Sequence, residues 1–107
     1  MRLYICGPMT GKPNNNFDAF YRAEKVLAAL GYHVENPARI ELPEGQEKTW
    51  ENYMKADLPR LVQCDGIATL NGFESSRGAM LELQVASALG IQICGVSVWI
   101  QDAKVMP

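Results

Sequence analysis

RLYICGPMTGKPNNNFDAFYRAEKVLAALGYHVEN, residues 2–36, is the stretch on which the fold turns. Arg2 to Cys6 is a short apolar run stopped by Gly7-Pro8, the pattern of a buried strand. A loop rich in Gly, Pro and Asn follows to Asn16, a residue type suited to capping a helix start. From Phe17 to Leu30 the apolar residues Phe20, Ala23, Leu27 and Leu30 recur at helical spacing, and Gly31 stands where a C-terminal glycine belongs. Tyr32 to Glu35 then reads as a second short strand, closed by Asn36-Pro37. Strand, helix, strand in so few residues is the unit of a parallel sheet wrapped by helices.

The rest of the chain repeats the alternation. Residues 38–48 form a polar loop with Pro43 and Gly45, placed to act as a flap. Thr49 opens a second helix on which Trp50, Met54, Asp57 and Leu61 share a face, and Pro59 is expected to kink its end. Ile67 to Leu70 is a third strand, introduced by Cys64-Asp65-Gly66, with Asp65 expected to cap its entry. A third helix spans roughly Arg77 to Leu89, Gly90 closes it, and Ile91 to Val96 is a fourth strand. Ser97 to Pro107, with Trp99, takes no clear assignment. The expected fold is α/β, a doubly wound parallel sheet of four to five strands flanked by helices, Rossmann- or flavodoxin-like, in one domain over residues 1–107.

Hydrophobic residues make up 48% of the chain and charged residues 21%, an ordinary globular balance. A net charge of −2 offers no broad electropositive surface, so polymeric DNA or RNA is excluded as a partner on charge grounds. One small anion can still be held by a helix end and a few donors. Cys6, Cys64 and Cys94 are odd in number and lack paired spacing, which reads as reduced packing thiols in a cytoplasmic protein. No stretch has the length of a membrane span, and Arg2 precedes a run too short for a signal peptide.

A doubly wound sheet binds ligands outside the carboxyl ends of its strands. That rule selects the loops Gly7 to Asn16, Asn36 to Lys48 and Asn71 to Ser76. The first, Gly7-Pro8-Met9-Thr10-Gly11-Lys12, is not a Walker loop, because Pro13 stands where Ser or Thr is required, and G-x-G-x-x-G is absent. What remains is a tight turn that either brings backbone and Thr10 close to a ligand or simply connects strand to helix.

Glu82 lies one helical turn after Gly78, so the face it occupies lacks a side chain there, among apolar neighbours Leu81, Leu83 and Val85. Partial burial in that setting raises a carboxyl pKa or tunes its reactivity. Ser75 and Ser76 stand at the helix start, where hydroxyls and free N–H groups favour an anion and also serve as ordinary caps. Asp57 belongs to the inward stripe of the second helix, or else faces solvent at a proline-disturbed end. Two inward carboxylates on different helices suit glycosidic chemistry. His33, the one histidine, sits in an edge-like strand and reads as structural. No cluster of metal ligands exists, and no cofactor is expected.

In order and spacing, Leu3-Tyr4-Ile5-Cys6-Gly7-Pro8-Met9-Thr10-Gly11, Asp57, Cys64-Asp65-Gly66-Ile67 and Ser75-Ser76-Arg77-Gly78-Ala79-Met80-Leu81-Glu82-Leu83 resemble the nucleoside 2-deoxyribosyltransferase-like superfamily. The resemblance, which covers nearly the whole chain and is strongest to small phage and bacterial members, implies Glu82 as the nucleophile at the anomeric carbon with Tyr4 orienting it. It implies Asp57 at the sugar or assisting the departing base, and Gly7, Met9 and Thr10 lining the pocket, beside the loop candidates Pro8, Asn71 and Ser75. Six residues before the glutamate the monophosphate N-hydrolases of this group carry a serine and the transferases an acidic residue. Ser76 therefore implies a nucleoside 5′-monophosphate, with Arg77 as a further anion contact. The resemblance also implies a homodimer or larger homo-oligomer, in which Trp99 and the tail to Pro107 complete a neighbour's site or form an interface. Gln84 departs from the glycine of better-known members, and the chain is shorter than theirs, so a nucleotide-binding module without turnover stands beside hydrolysis and deoxyribosyl transfer as an alternative.

Overall fold

The computed structural model describes residues 1–105. Strands β1 (Arg2–Cys6), β2 (His33–Glu35), β3 (Gly66–Thr69) and β4 (Gln92–Gly95) form one parallel sheet in the order β2-β1-β3-β4. They alternate with helices α1 (Phe17–Ala29), α2 (Trp50–Leu61), α3 (Arg77–Ala88) and α4 (Val96–Val105). The chain passes from β1 to β2 on one side and crosses back to β3 on the other. Right-handed crossovers in opposite directions put helices on opposite faces. Side chains of β1 alternate accordingly: Leu3 packs with Leu27 of α1 and Trp99 of α4, while Tyr4 and Cys6 pack with Leu61, Ala79 and Ala86 on the α2/α3 face. The order reverses at β1 and β3, so the crevice for a ligand opens at their carboxyl ends.

Helix α1 buries Phe20, Ala23 and Leu27, whereas Leu30 lies beyond its end and is exposed. Asn16 does not cap α1 through its side chain. It takes a left-handed conformation, as do Asn14 and Asn15, and its Nδ2 donates to the Pro8 carbonyl at 3.0 Å, bracing the loop instead. Pro59 leaves α2 unbroken: in the last turn it removes only the bond to the carbonyl of Lys55, an exposed residue. The loop after β2 is pinned at its start. Asn36 accepts from Ala38 N–H at 2.9 Å and donates to Glu24, and Arg39 pairs with Glu24 at 2.7 Å. Asp65 accepts from the backbone N–H of Arg2 at 2.8 Å, tying together the entries of β1 and β3.

The segment after β4 is a helix, α4. Its β-branched alternation at Val96, Val98 and Ile100 obscures the helical signal, and tertiary packing decides in favour of helix. Trp99, 3% exposed, lies against Gly66, where an added Cβ would come within 2.6 Å of the indole. Its Nε1 donates to the Ile67 carbonyl at 2.7 Å, and Tyr32 stacks edge-on against it. Trp99 is therefore a core residue of its own chain and not a group offered to a neighbour; residues 106 and 107 of the expected interface tail lie outside the described residues. No helix of the described residues is long and apolar enough to cross a membrane.

Candidate active site

Three neighbouring pieces of backbone converge at the carboxyl end of β1. The loop after β1 contributes Gly7, Met9 and Thr10, helix α2 contributes Trp50, Tyr53, Met54 and Asp57, and the first turns of α3 contribute Ser76, Gly78 and Glu82. Between them lies a cleft of about 340 Å³, within the range of small-molecule sites. Gly7 is required here by close approach: a Cβ would sit 2.8 Å from Leu70 Cβ, so the chain turns against the end of β3 only without one.

Glu82 forms the floor. Its side chain is 5% exposed, and it is the more deeply buried of the cleft's two acidic groups. The Tyr4 hydroxyl, itself 0% exposed, donates to Oε2, and the Cys6 thiol lies 3.5 Å from Oε1. Burial pushes the Glu82 carboxyl up to about 8, reinforced by the charge of Asp57, while the donors Tyr4 and Cys6 pull the other way. Asp57, from the facing helix, is pushed up to about 7 by burial, with Arg60 opposing. Its Oδ1 is buried without a hydrogen-bond partner among the described residues, a setting that favours the protonated form. Tyr4 is held far above the ordinary phenol range by burial and then by Glu82 and Asp57, so it stays a donor. Two carboxyl groups that interact titrate as a pair, and burial raises both above the ordinary carboxylate range.

Ser76 caps α3: its hydroxyl accepts from Ala79 N–H at 3.1 Å, leaving its own hydrogen and the first-turn N–H groups of Arg77 and Gly78 for a ligand at the cleft's edge. Gly78 does less to open the space than its position in the sequence implies. An added Cβ there would meet Met54 Sδ at 3.4 Å and Trp50 Nε1 at 3.5 Å, ordinary contact distances, so the position faces two α2 side chains and not an open hollow.

Of the residues singled out from sequence, Gly7, Met9, Thr10, Asp57, Ser76, Gly78 and Glu82 line this one cleft, and Tyr4 stands behind it. Four do not line it. Asn71 lies in a separate hollow at the ends of β3 and β4, because the chain makes a tight turn at Phe73–Ser75 before reaching α3. The Ser75 hydroxyl turns back within that turn to donate to the Gly72 carbonyl at 2.9 Å. Pro8 is buried beside Gly72. Arg77, expected to meet an anion, lays its guanidinium 3.7 Å from the centre of the Trp50 ring instead.

Sequence reasoning missed Lys48, Asn15, Phe17 and Tyr53, which also border the cleft. Trp50 and Met54 stood out only as members of an apolar stripe. That stripe begins in the cleft and ends in the core, where Leu61 is fully buried, and helical spacing alone cannot mark the crossing point. Cys6 read as a packing thiol, since nothing in the spacing shows that β1 passes under α3.

The solved structure of a 2-deoxyribosyltransferase from the psychrotolerant bacterium Bacillus psychrosaccharolyticus matches with a TM-score of 0.70, over 87% of this chain and 69% of that chain, at 23% identity. At that identity the likeness is one of fold, and it extends the parallel α/β architecture to a solved protein. No curated protein matches the chain in sequence. The family model described as a domain of unknown function, DUF4406, matches residues 1–95, from β1 through β4 and therefore across every strand and every cleft residue, so the chain belongs to the DUF4406 family.

Proposed function

We propose that this chain, as a single domain over residues 1–107, cleaves the N-glycosidic bond of a nucleoside or 2′-deoxynucleoside 5′-monophosphate. The observation that carries the reading is the pair of carboxyl groups, Glu82 on α3 and Asp57 on α2, bordering one cleft, both raised above the ordinary carboxylate range by burial. A glycosidic bond breaks when one group meets the cationic sugar carbon and another protonates the leaving base. In the form of the pair with Glu82 ionised and the proton on Asp57, an oxygen of Glu82 attacks C1′ while the C1′–N bond breaks, its electron pair leaving with the base, which takes the proton of Asp57. Water then attacks C1′, passing a proton to Asp57, and the C1′–O bond to Glu82 breaks with its pair returning to the carboxylate. Tyr4 holds Glu82 in place throughout.

Ser76, with the open N–H groups of the first turn of α3, supports a phosphate at the cleft's edge, and Lys48 supplies a positive charge nearby. The aromatic side chains Trp50, Tyr53 and Phe17, which border the cleft, support binding of a base there. The fold likeness to a 2-deoxyribosyltransferase favours a second reading, in which a free base instead of water accepts the sugar from Glu82.

Incubating wild type and Glu82→Ala with a panel of nucleosides and 5′-monophosphates, and separating the products by chromatography, tests the proposal. Free base is expected from wild type alone, fastest from a monophosphate. Base release undiminished in the variant removes Glu82 from the mechanism; tight nucleotide binding without release from any substrate replaces the enzyme with a binding module. Adding a second base and seeking exchanged nucleoside separates transfer from hydrolysis. The homodimer or larger assembly implied by the family resemblance is read by light scattering.

A further inference from the structure

Cys6 stands two residues after Tyr4 on β1, on the same face of the sheet, and is fully buried beneath α3. Its Sγ lies 3.5 Å from Oε1 of Glu82 and 3.5 Å from the backbone carbonyl oxygen of Ala79. A thiol has one hydrogen, so it can serve one of these acceptors fully at any moment. We propose that Cys6 is a positioning residue for Glu82, its thiol hydrogen directed to the Ala79 carbonyl when Glu82 is neutral and to Oε1 when Glu82 carries charge.

Tyr4 and Cys6 are the two hydrogen-bond donors to the Glu82 carboxyl group among the described residues, one for each oxygen. From α2, Asp57 is the charged group that faces Glu82, and it opposes ionisation. A hydrogen bond to an ionised acceptor is roughly twice as strong as one between neutral groups, so the thiol gains by turning to Oε1 as charge appears. The Ala79 carbonyl is one turn before Leu83 in α3 and has a second lone pair beyond its helical bond, which makes it a satisfactory partner for the idle thiol. Burial and the neighbouring carboxylate hold the thiol far above the ordinary range, so Cys6 keeps its hydrogen at every working pH and is no nucleophile itself.

This inference rests, for its kinetic consequence, on Glu82 as the attacking group. Charge leaves Oε1 or its partner oxygen when the sugar ester forms and returns when it breaks. A weak donor that can retreat to a backbone carbonyl steadies the anion with little loss of its reactivity, whereas a second fixed donor added to Tyr4 would tie up both oxygens.

The ionisation of Glu82 is followed by NMR on protein labelled with carbon-13 at glutamate side-chain carboxyls, the signal assigned by its loss in Glu82→Gln. Cys6→Ala is expected to move the midpoint up by about half to one pH unit, the size expected when a weak donor to an anion is lost. Cys6→Ser is expected to recover at least half of that shift. Infrared spectra of the wild type give a second reading that needs no folded alanine variant: one S–H band should move to lower frequency as Glu82 ionises and stay still in Glu82→Gln. A midpoint unchanged in a folded Cys6→Ala, a Cys6→Ser that tracks the alanine variant, or no S–H band that responds overturns the proposal. In base-release assays the limb of kcat/KM belonging to Glu82 should shift with the NMR midpoint. Absence of any base release would count against the enzymatic reading while the substrate-free spectra still judge Cys6.

Discussion

Glu82→Gln is expected to make the protein more stable at neutral and alkaline pH while abolishing its chemistry. Folded Glu82 titrates at about 8 against an ordinary value of 4.5, chiefly because of burial. Between those two pH values the folded chain holds a proton that the unfolded chain has released, so stability falls as pH rises through the interval and levels off above it. At about 1.4 kcal/mol per pH unit, holding Glu82 protonated while the unfolded chain ionises costs the folded state about 3 kcal/mol by pH 7, and more by pH 8. Little of this is lost to solvent screening, since the side chain is only 5% exposed. Glutamine has nearly the same shape and can still accept from Tyr4, but never ionises. Below about pH 4 the two proteins should unfold alike apart from a constant offset from the amide, and by pH 7 the variant should lead by about 3 kcal/mol, a rise in Tm of about 10 °C for a domain of this size. Urea denaturation of both proteins at a series of pH values from 4 to 9 measures the difference directly. A gap that does not widen with pH would refute the placement of Glu82 in a desolvated floor.

Further outcomes follow from the same geometry. Base release should show a bell-shaped pH profile with its maximum between about 7 and 8, since the proposed mechanism needs one proton on the Asp57–Glu82 pair; Asp57→Asn should lower kcat by roughly a hundredfold or more and remove the alkaline limb, as stopped assays across pH will register. Ser76→Asp keeps a capping acceptor at the start of α3 but sets a negative charge where a phosphate is proposed, so thermal stability should hold while KM for monophosphates rises at least tenfold and free nucleosides are spared. A KM unmoved by that change would place the phosphate elsewhere. Gly66→Ala should lower stability by about 2 kcal/mol or more, because its Cβ would come within 2.6 Å of a rigid indole that is hydrogen-bonded in place; calorimetry that finds wild-type stability would mean that α4 does not dock as described.

The alternation of apolar runs with helical stripes determined the order of three helices and four strands, because burial on a sheet face and on a helix face leaves periods of 2 and 3.6 in the chain itself. It determined equally that Glu82 follows Gly78 by a turn and that Ser76 stands at a helix start, since these are distances along one element. Tertiary structure alone decided which elements meet. That Tyr4 and Cys6 reach across from β1 to the two oxygens of Glu82 depends on α3 lying over β1, a contact between residues 78 and 76 positions apart. Asn71 and Ser75 belong to the selected loop by sequence, and a single tight turn at Phe73–Ser75 sends both away from the cleft. The tail shows the same limit from the other side: local preference in Val96, Val98 and Ile100 leans toward strand, and the glycine notch at Gly66 that receives Trp99 lies thirty-three residues earlier, where no local window can see it. Contacts of that range are set by how the whole sheet closes, and a linear reading has no term for them.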